Sequence, residues 1–384
     1  TDRRPLISKF ASSAAHVTGH RLVSAETGTW LKEHFTETLA DIKGLMDDMF
    51  VSGINHVFYH GTCYSPDEAG WPGWVFYAST EMNPRNAFWR DVSTLNAYIA
   101  RCQAVLQSGQ PDNDVLLYWP IHDYWHNAAG LNQNLTIHGA GWFKEQQIGS
   151  TASNLWNRGF TFDYCSDRQL AESKTVSTLI RTKGGTYRAV VVPACDHMPV
   201  TTMKNLLKLA KSGGLLIFQE HLPQDVPGLS GLDEQRNTLK ELLASLKLKD
   251  SGNFRKARFG KGYILVGELE ACLDSLGIKR ETMTDHQGMI FIRRSFDSGH
   301  HYFISNSGQQ PFDGWITLAR KAESVVVMDA MRNRTGKGIT RKNGEGFTQT
   351  YAQLQPGESV ILKTFADRNI DGPAWKYFKP SGTP

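Results

Sequence analysis

The stretch His20-Arg-Leu-Val-Ser-Ala-Glu-Thr-Gly-Thr-Trp30 decides how the N-terminal part of the chain is interpreted. Its small and apolar run, Leu22 to Ala25, is typical of a strand that is buried on both faces, and Glu26 follows directly. Residues 27–29 then turn the chain before a helical pattern begins. Because enzymes built on parallel barrels carry their chemistry where the strands end, this pattern predicts Glu26 as a catalytic carboxylate. A solvated glutamate at a strand end is the alternative.

A second strand lies one helix further along the chain. Phe35 to Phe50 carries a helical stripe of apolar side chains, Gly53 ends it, and Ile54 to Tyr59 forms the next apolar run. A strand–helix–strand connection of this length is almost always right-handed and parallel. His60 is therefore expected at the same edge as Glu26, with a hydrogen bond to substrate as its predicted role and a structural histidine as the alternative.

Aromatic residues are frequent in and after these two strands. A long loop over residues 65–83 follows the second strand, and long loops at this edge of a barrel shape substrate pockets. Aromatic rings offer flat apolar faces on which a sugar ring can stack, although each ring alone can equally fill a core. The residues predicted to form the walls of such a pocket, and so to bind substrate, are Trp30, Tyr64, Trp71 and Trp74.

The composition argues against several classes of protein. The chain has 384 residues, 40% hydrophobic and 21% charged, with a net charge of +4 that is spread along its length, so a nucleic-acid partner is not expected. No segment approaches the roughly 18 apolar residues of a membrane span. The five cysteines are scattered and favour neither a disulfide framework nor a zinc site. His16 and His20 have a metal-pair spacing, but Gly19 interrupts their helix.

Residues 111–285 predict a second α/β domain. Short apolar runs alternate with helical patterns, which indicates an open parallel sheet of the flavodoxin-like kind. The turn after its first strand, Pro120 to Trp125, lacks the glycine-rich cradle that binds phosphates, so no nucleotide is expected there. Gly-x-Ser-x-Gly is also absent from the chain, which argues against an α/β-hydrolase.

Residues 286–366 predict a β-sandwich-like domain, since the helical period disappears and short strands follow one another. Pairs such as Asp313-Gly314, Asn343-Gly344 and Pro356-Gly357 are predicted as the turns between strands. Residues 367–384 are polar and rich in proline and glycine, and are predicted to form a loose tail. Residues 1–110 are then predicted as the C-terminal βα units of a (β/α)8 barrel.

Two stretches carry a resemblance to known proteins. Ala14 to Trp30, followed by His56-Val-Phe-Tyr-His-Gly-Thr-Cys-Tyr64, resembles the C-terminal part of a glycoside hydrolase barrel. The sequence is most similar to the α-L-rhamnosidases of glycoside hydrolase family 106, and more distantly to the family 42 β-galactosidases. In both families a flavodoxin-like domain and a β-rich domain follow the barrel, which is the order that the periodicity predicts here.

The resemblance implies an inverting hydrolase that releases terminal α-L-rhamnosyl residues from rhamnose-containing glycans or glycosides. It implies Glu26 as the general base from the seventh barrel strand, calcium in the sugar site, and a periplasmic or secreted protein. The earlier barrel strands, with the general acid and most calcium ligands, are not in this sequence. The chain also begins at Thr1 without a methionine or signal peptide, so the N-terminal part of the same protein is an expected partner.

Two other functions stay open at this point. By analogy with family 42, Glu26 would be the nucleophile of a retaining β-galactosidase-like enzyme. Alternatively, the chain is a non-catalytic carbohydrate-binding or assembly fragment. Glycoside hydrolysis needs a second carboxyl group, and Asp67 and Glu68 are candidates for that group or for holding a cation, although a solvated loop pair is the commoner case.

Overall fold

The computed structural model describes residues 3–378, which form two compact units. The first unit comprises the residues up to Ser8, Leu22–Gln110 and the chain from Glu281 onward. The second unit comprises Lys9–Arg21 and Pro111–Arg280. Apart from residues 9–21, the segment predicted as barrel therefore lies with the predicted β-sandwich in the first unit, and the division at residues 110, 285 and 366 stays a prediction.

Helices and strands alternate through the first two thirds of the chain. In residues 3–378 the α-helices are α1 Pro5–Thr18, α2 Leu39–Val51, α3 Val92–Leu106, α4 Ile121–His126, α5 Gly141–Lys144, α6 Gln147–Arg158, α7 Asp167–Glu172, α8 Val200–Lys211, α9 Leu232–Ala244 and α10 Leu269–Ser275. Short 3-10 helices cover Ala87–Asp91, Gly130–Asn132 and Thr282–Asp285. In this part of the chain no helix is both long and apolar enough to cross a membrane.

The strands are short in the second unit and longer towards the C-terminus. They are β1 Ser24–Thr27, β2 His56–Tyr59, β3 Gln110–Pro111, β4 Val115–Tyr118, β5 Phe162–Cys165, β6 Lys174–Val176, β7 Leu179–Arg181, β8 Thr186–Tyr187, β9 Ala189–Val192, β10 Leu215–Gln219, β11 Lys249–Asp250, β12 Phe254–Phe259, β13 Gly262–Gly267, β14 Met289–Phe296, β15 Gly299–Asn306, β16 Phe312–Thr317, β17 Ser324–Asp329, β18 Arg334–Lys337, β19 Thr340–Lys342, β20 Thr348–Leu354 and β21 Ser359–Phe365.

The strands β1 and β2 pair in parallel, as predicted, and place Glu26 opposite Phe58. The prediction that β1 is buried on both faces is wrong, because Ser24 and Glu26 are exposed, and Phe58 of β2 is 51% exposed. The physical reason is that β1 and β2 form a two-stranded sheet of their own among the described residues. Their outer edges have no strand partner there, and no closed barrel is present in residues 3–378.

Helices α2 and α3 cover the C-terminal sheet of the first unit. Phe50 of α2 packs edge-on against Phe303 of β15, with ring centroids 5.6 Å apart. Lys43 of α2 donates to Asp47 at 2.6 Å and to the carbonyl oxygen of Gly357 at 2.6 Å, which fixes the helix to the turn before β21. The segment that presents the candidate site therefore rests on the C-terminal strands.

The second unit is built on a seven-stranded sheet in the order β11-β12-β13-β10-β9-β4-β5. The five strands from β13 to β5 are parallel, and in chain order they run 2-1-3-4-5, which is the flavodoxin-like order. β12 is antiparallel to β13, a departure from the predicted parallel sheet. Its sequence FRKARF carries alternating charges, which suit a strand near a sheet edge and hide it from a search for apolar runs.

A buried ionic cluster attaches α1 to this sheet. His16 lies 3.0 Å from Asp163 of β5, and Lys9 lies 3.8 Å from the same carboxylate. Although burial alone would raise it, the pKa of Asp163 is held below its usual value by His16 and Lys9. The carboxylate also accepts hydrogen bonds from Ser13, Asn113 and Tyr187. His16 is thus a buried structural residue, while His20 is exposed.

The C-terminal strands form two sheets around one core. β18-β17-β21-β15-β14 run side by side in one sheet, and β16-β20-β19 form the other. The prediction of Asp313-Gly314 as a turn is wrong, since both residues lie within β16 and pair with Gln353 and Ala352. The expectation of a loose tail fails over residues 373–375, where Trp375 donates to the carbonyl oxygen of Lys337 at 2.9 Å. Residues 379–384 of that predicted tail lie outside the described residues.

Candidate active site

Glu26 and His60 come together at the carboxyl ends of β1 and β2. Nδ1 of His60 lies 3.4 Å from Oε1 of Glu26. The Glu26 side chain is 71% exposed, whereas that of His60 is 31% exposed. The parallel pairing of β1 and β2 brings Glu26 and His60 together. It continues one residue past β2, where the His60 amide donates to the carbonyl oxygen of Thr27 at 2.8 Å. The structure therefore brings the two residues together as predicted, with the carboxylate open to solvent.

His60 is held in place from several sides. The Thr29 hydroxyl donates to the His60 carbonyl oxygen at 2.7 Å and lies 3.1 Å from Nδ1 of the ring. Phe76 packs edge-on against the imidazole with centroids 4.7 Å apart. The peptide bond between His60 and Gly61 is cis. The contacts with Thr29 and Phe76 fix the imidazole, which can thereby orient the neighbouring carboxylate of Glu26.

The predicted aromatic walls divide into exposed and buried rings. Tyr64, Trp71 and Trp74 are exposed, and Tyr64 meets Trp74 edge-on at 6.1 Å between centroids. Trp30 is only 8% exposed, so its ring is occupied by packing and leaves little surface for a ligand. Sequence reasoning missed Tyr77, which is exposed and lies 5.8 Å from the His60 ring. The rings available to a substrate are thus on the loop after β2.

A buried glutamate that the sequence did not reveal organises this loop. Glu81 is fully buried, and its Oε1 accepts the Phe76 amide at 3.0 Å and lies 3.0 Å from Nδ1 of His34. Its Oε2 accepts the Cys63 thiol at 3.0 Å. Burial, with the hydrogen bond to Glu81, raises the pKa of Cys63 to about 11, so the thiol stays a donor. The contacts fix the loop that carries the exposed rings.

The described residues do not supply a complete metal site. Asp67 and Glu68 are exposed on the loop after β2. Glu37 is buried and accepts the Ser79 hydroxyl at 2.7 Å, while its second oxygen has no hydrogen-bond partner among residues 3–378. No group of three or more His, Cys, Asp or Glu side chains in these residues is arranged to hold a metal ion. Calcium in the sugar site stays a prediction.

Comparison with known proteins places this geometry in a family. The sequence matches the family model described as alpha-L-rhamnosidase over residues 7–317. The chain belongs to glycoside hydrolase family 106. It is therefore part of a glycosidase family, as the resemblance of the two strand-end stretches indicated.

Solved structures show the same fold. A rhamnosidase from Novosphingobium sp. PP1Y matches with a TM-score of 0.78 and 19% identity, covering 98% of this chain and 34% of that one. A β-galactosidase from Bacillus circulans sp. alkalophilus matches at 0.58 and 10% identity, covering 94% and 58%. The family 42 β-galactosidase Gan42B from G. stearothermophilus matches at 0.59 and 11%, covering 94% and 56%. At these identities the likeness concerns the fold alone.

One curated relative matches by sequence. A Formosa agariphila protein that carries a provisional beta-glucuronidase name is 26% identical over 360 residues, which is 92% of this chain and 28% of that protein. The chain thus spans about a third or less of this relative and of the Novosphingobium rhamnosidase.

Proposed function

We propose that the chain is part of an inverting α-L-rhamnosidase in which Glu26 is the general base. The observation that carries the proposal is an open carboxylate at a parallel strand end, 3.4 Å from a fixed histidine, in a chain of family 106. In this reaction Glu26 takes a proton from a water as the water oxygen bonds to the anomeric carbon. The bond to the leaving oxygen breaks, and a separate carboxylic acid protonates that oxygen.

We further propose that β1 and β2 are two strands of a (β/α)8 barrel whose other strands come from the preceding part of the same protein. The unpaired outer edges of the two strands and the exposed Phe58 support this assignment. The barrel folds of the family 42 neighbours support it as well. The general acid would then lie on another strand, with Asp67 and Glu68 as the alternatives for the second carboxyl group within this chain.

Glu26→Gln in the complete protein tests the catalytic role. Hydrolysis of an aryl α-L-rhamnoside is expected to fall by about 100-fold or more, because an amide cannot take the proton from water. Glu33→Gln, an exposed carboxylate on the neighbouring loop, is the matched control and should leave turnover unchanged. Equal turnover in both variants would remove Glu26 from the mechanism and favour a binding or assembly role.

The likeness to family 42 favours one alternative, a retaining enzyme with Glu26 as nucleophile. The anomeric configuration of the first product, observed by NMR, separates the two mechanisms, since a covalent intermediate gives retention. Aryl β-galactosides and β-glucuronides in the same assay cover the activities for which the other relatives are named. Inversion on an α-L-rhamnoside is the expected result.

A further inference from the structure

A cleft lies at the carboxyl edge of the sheet in the second unit. After β4 the chain adds β5 on one side of β4, and it then adds β9 on the other side. The order of strand addition therefore reverses between β4 and β9, although the strands themselves are parallel. In open α/β sheets such a switch point opens a crevice in which ligands bind. A cleft of about 560 Å³ lies beside α4, which follows β4, and the start of α9. We call it the switch-point cleft; its walls include His122, Trp125, His126, Asp225, Leu229 and Arg236.

The polar side chains around this cleft are fixed by one another. Arg236 donates to both oxygens of Asp225, at 2.7 and 2.6 Å. This pairing holds the pKa of Asp225 well below its usual range. His122 lies 3.3 Å from Asp167, the first residue of α7, which follows β5. The contacts with these partners restrict the side chains of Asp225, Arg236 and His122, so their hydrogen-bonding atoms have defined positions.

The loop after β9 contacts helix α4, which lines the cleft. His197 stacks on His126 with ring centroids 3.9 Å apart. Its Nδ1 lies 2.8 Å from Asp123, whose carboxylate also accepts the backbone amides of Asp196 and His197. The orientation of α4 is thereby tied to the β9 loop across the switch point. The cleft is therefore a preformed surface, as small-molecule sites usually are.

The chemistry of the walls selects the class of ligand. Trp125 is 47% exposed and Leu229 is exposed, so an apolar face is offered beside the fixed polar atoms. Arg236 in the cleft wall is paired with both oxygens of Asp225, so its positive charge is already compensated and attracts a phosphate group only weakly. The turn after β4 also has no glycine cradle. These features oppose a nucleotide and suit a neutral ligand with one apolar face and many hydroxyl groups.

We infer that the switch-point cleft is a saccharide-binding site, separate from Glu26. The apolar C–H face of a pyranose ring lies on the Trp125 indole, and its hydroxyl groups exchange hydrogen bonds with His122, Asp225 and Arg236. The volume of about 560 Å³ falls within the about 300–1,000 Å³ of ordinary small-molecule sites, so the cleft accommodates a short oligosaccharide. This site goes beyond the proposed hydrolysis, because it holds a glycan without acting on a glycosidic bond.

Calorimetric titration of the full chain with rutinose, lactose and ADP tests the inference. At least one of the two disaccharides is expected to bind saturably, and ADP is not. Trp125→Ala should weaken that binding by about tenfold, the effect of losing one aromatic contact. Trp125→Phe should restore most of it. Trp89→Ala, a comparably exposed indole outside the cleft, is the matched control and should bind as the wild type does.

Glu26→Gln keeps this test apart from the proposed hydrolase function. Saccharide binding that survives Glu26→Gln and is lost in Trp125→Ala supports the cleft, whatever the turnover of the enzyme. Three results would overturn it: no disaccharide binding, equal binding by Trp125→Ala and wild type, or binding lost in Glu26→Gln alone. Binding of ADP in place of the sugars would assign the cleft to nucleotides and equally reject the inference.

Discussion

The buried carboxylate of Glu81 is the residue on which the candidate site most depends for its shape. Each of its oxygens faces two donor groups, so Glu81→Gln must turn its amide NH2 towards donors on one side. We expect this change to lower the free energy of unfolding by about 1–3 kcal/mol, the cost of buried donors without acceptors. Urea denaturation measures it. Glu68→Gln, on the exposed part of the same loop, should change stability by less than about 0.5 kcal/mol.

His301 of β15 is expected to make the stability of the protein depend on pH. Burial, with the nearby cations of Lys363 and Arg294, lowers the pKa of His301 to about 4 from the usual 6.5. The folded protein therefore keeps this imidazole neutral, while the unfolded chain takes up a proton below about pH 6.5. Its contribution to stability is present above about pH 6.5 and is lost as the pH falls towards about 4.

This loss is expected to reach about 2–3 kcal/mol. Denaturation of the wild type and of His301→Leu at pH 7, 5.5 and 4 measures it, because the other titrating groups are common to both proteins. The wild type should lose more stability than the variant between pH 7 and pH 4. Parallel losses in the two proteins would show that His301 titrates alike in the folded and unfolded states.

Glu26 and Glu81 show what the sequence could reveal about the site. The position of Glu26 at a strand end was predictable, because the strand and turn of residues 20–30, followed by a helical pattern, fix which end of the strand it occupies. Glu81 was not, since its partner His34 lies 47 residues away and its burial depends on how two loops meet. A charged residue in a loop is expected to be solvated unless its partners are known. Local sequence patterns therefore could not identify Glu81 as a buried residue.

The helix α2 connects the two site strands, and its start is defined by a capping box. Oγ1 of Thr38 accepts the Asp41 amide at 3.2 Å, and the Asp41 carboxylate accepts the Thr38 amide at 2.9 Å. Thr38→Ala should destabilise the first unit by about 1 kcal/mol, because the Asp41 amide in the first turn loses its side-chain acceptor. Thr38→Ser keeps the oxygen and should retain nearly all the stability in the same denaturation assay.

Strands could be predicted from the sequence where their buried positions are occupied by apolar residues. The core strands of the second unit, such as Ala189–Val192, are buried along their whole length and consist of apolar residues. A search for apolar runs does not find Thr348–Leu354, because its inward side chains are Thr348, Thr350, Ala352 and Leu354, half of them polar. Thr348 and Thr350 satisfy their hydroxyl groups on backbone carbonyl oxygens, which sequence patterns do not show.

Within residues 3–378, the candidate site is carried by the smallest sheet. β1 and β2 form a two-stranded sheet among the described residues, and two-stranded sheets are marginal without further cover. In the second unit, by contrast, β9 lies between two parallel neighbours and is fully buried. The proposed barrel explains this contrast, because further strands would pair with the free edges and bury Phe58.

Hydrogen exchange measures this contrast directly. In the chain alone, amides of residues 24–27 and 56–59 should exchange about 100-fold or more faster than those of residues 190–192, because stretches with few buried contacts open without global unfolding. In the longer protein, added strands should slow exchange in the two short strands towards the β9 rate, while β9 stays unchanged. Strong protection of β1 and β2 in the isolated chain would mean that the two-stranded sheet is already complete, and the barrel proposal would lose its structural support.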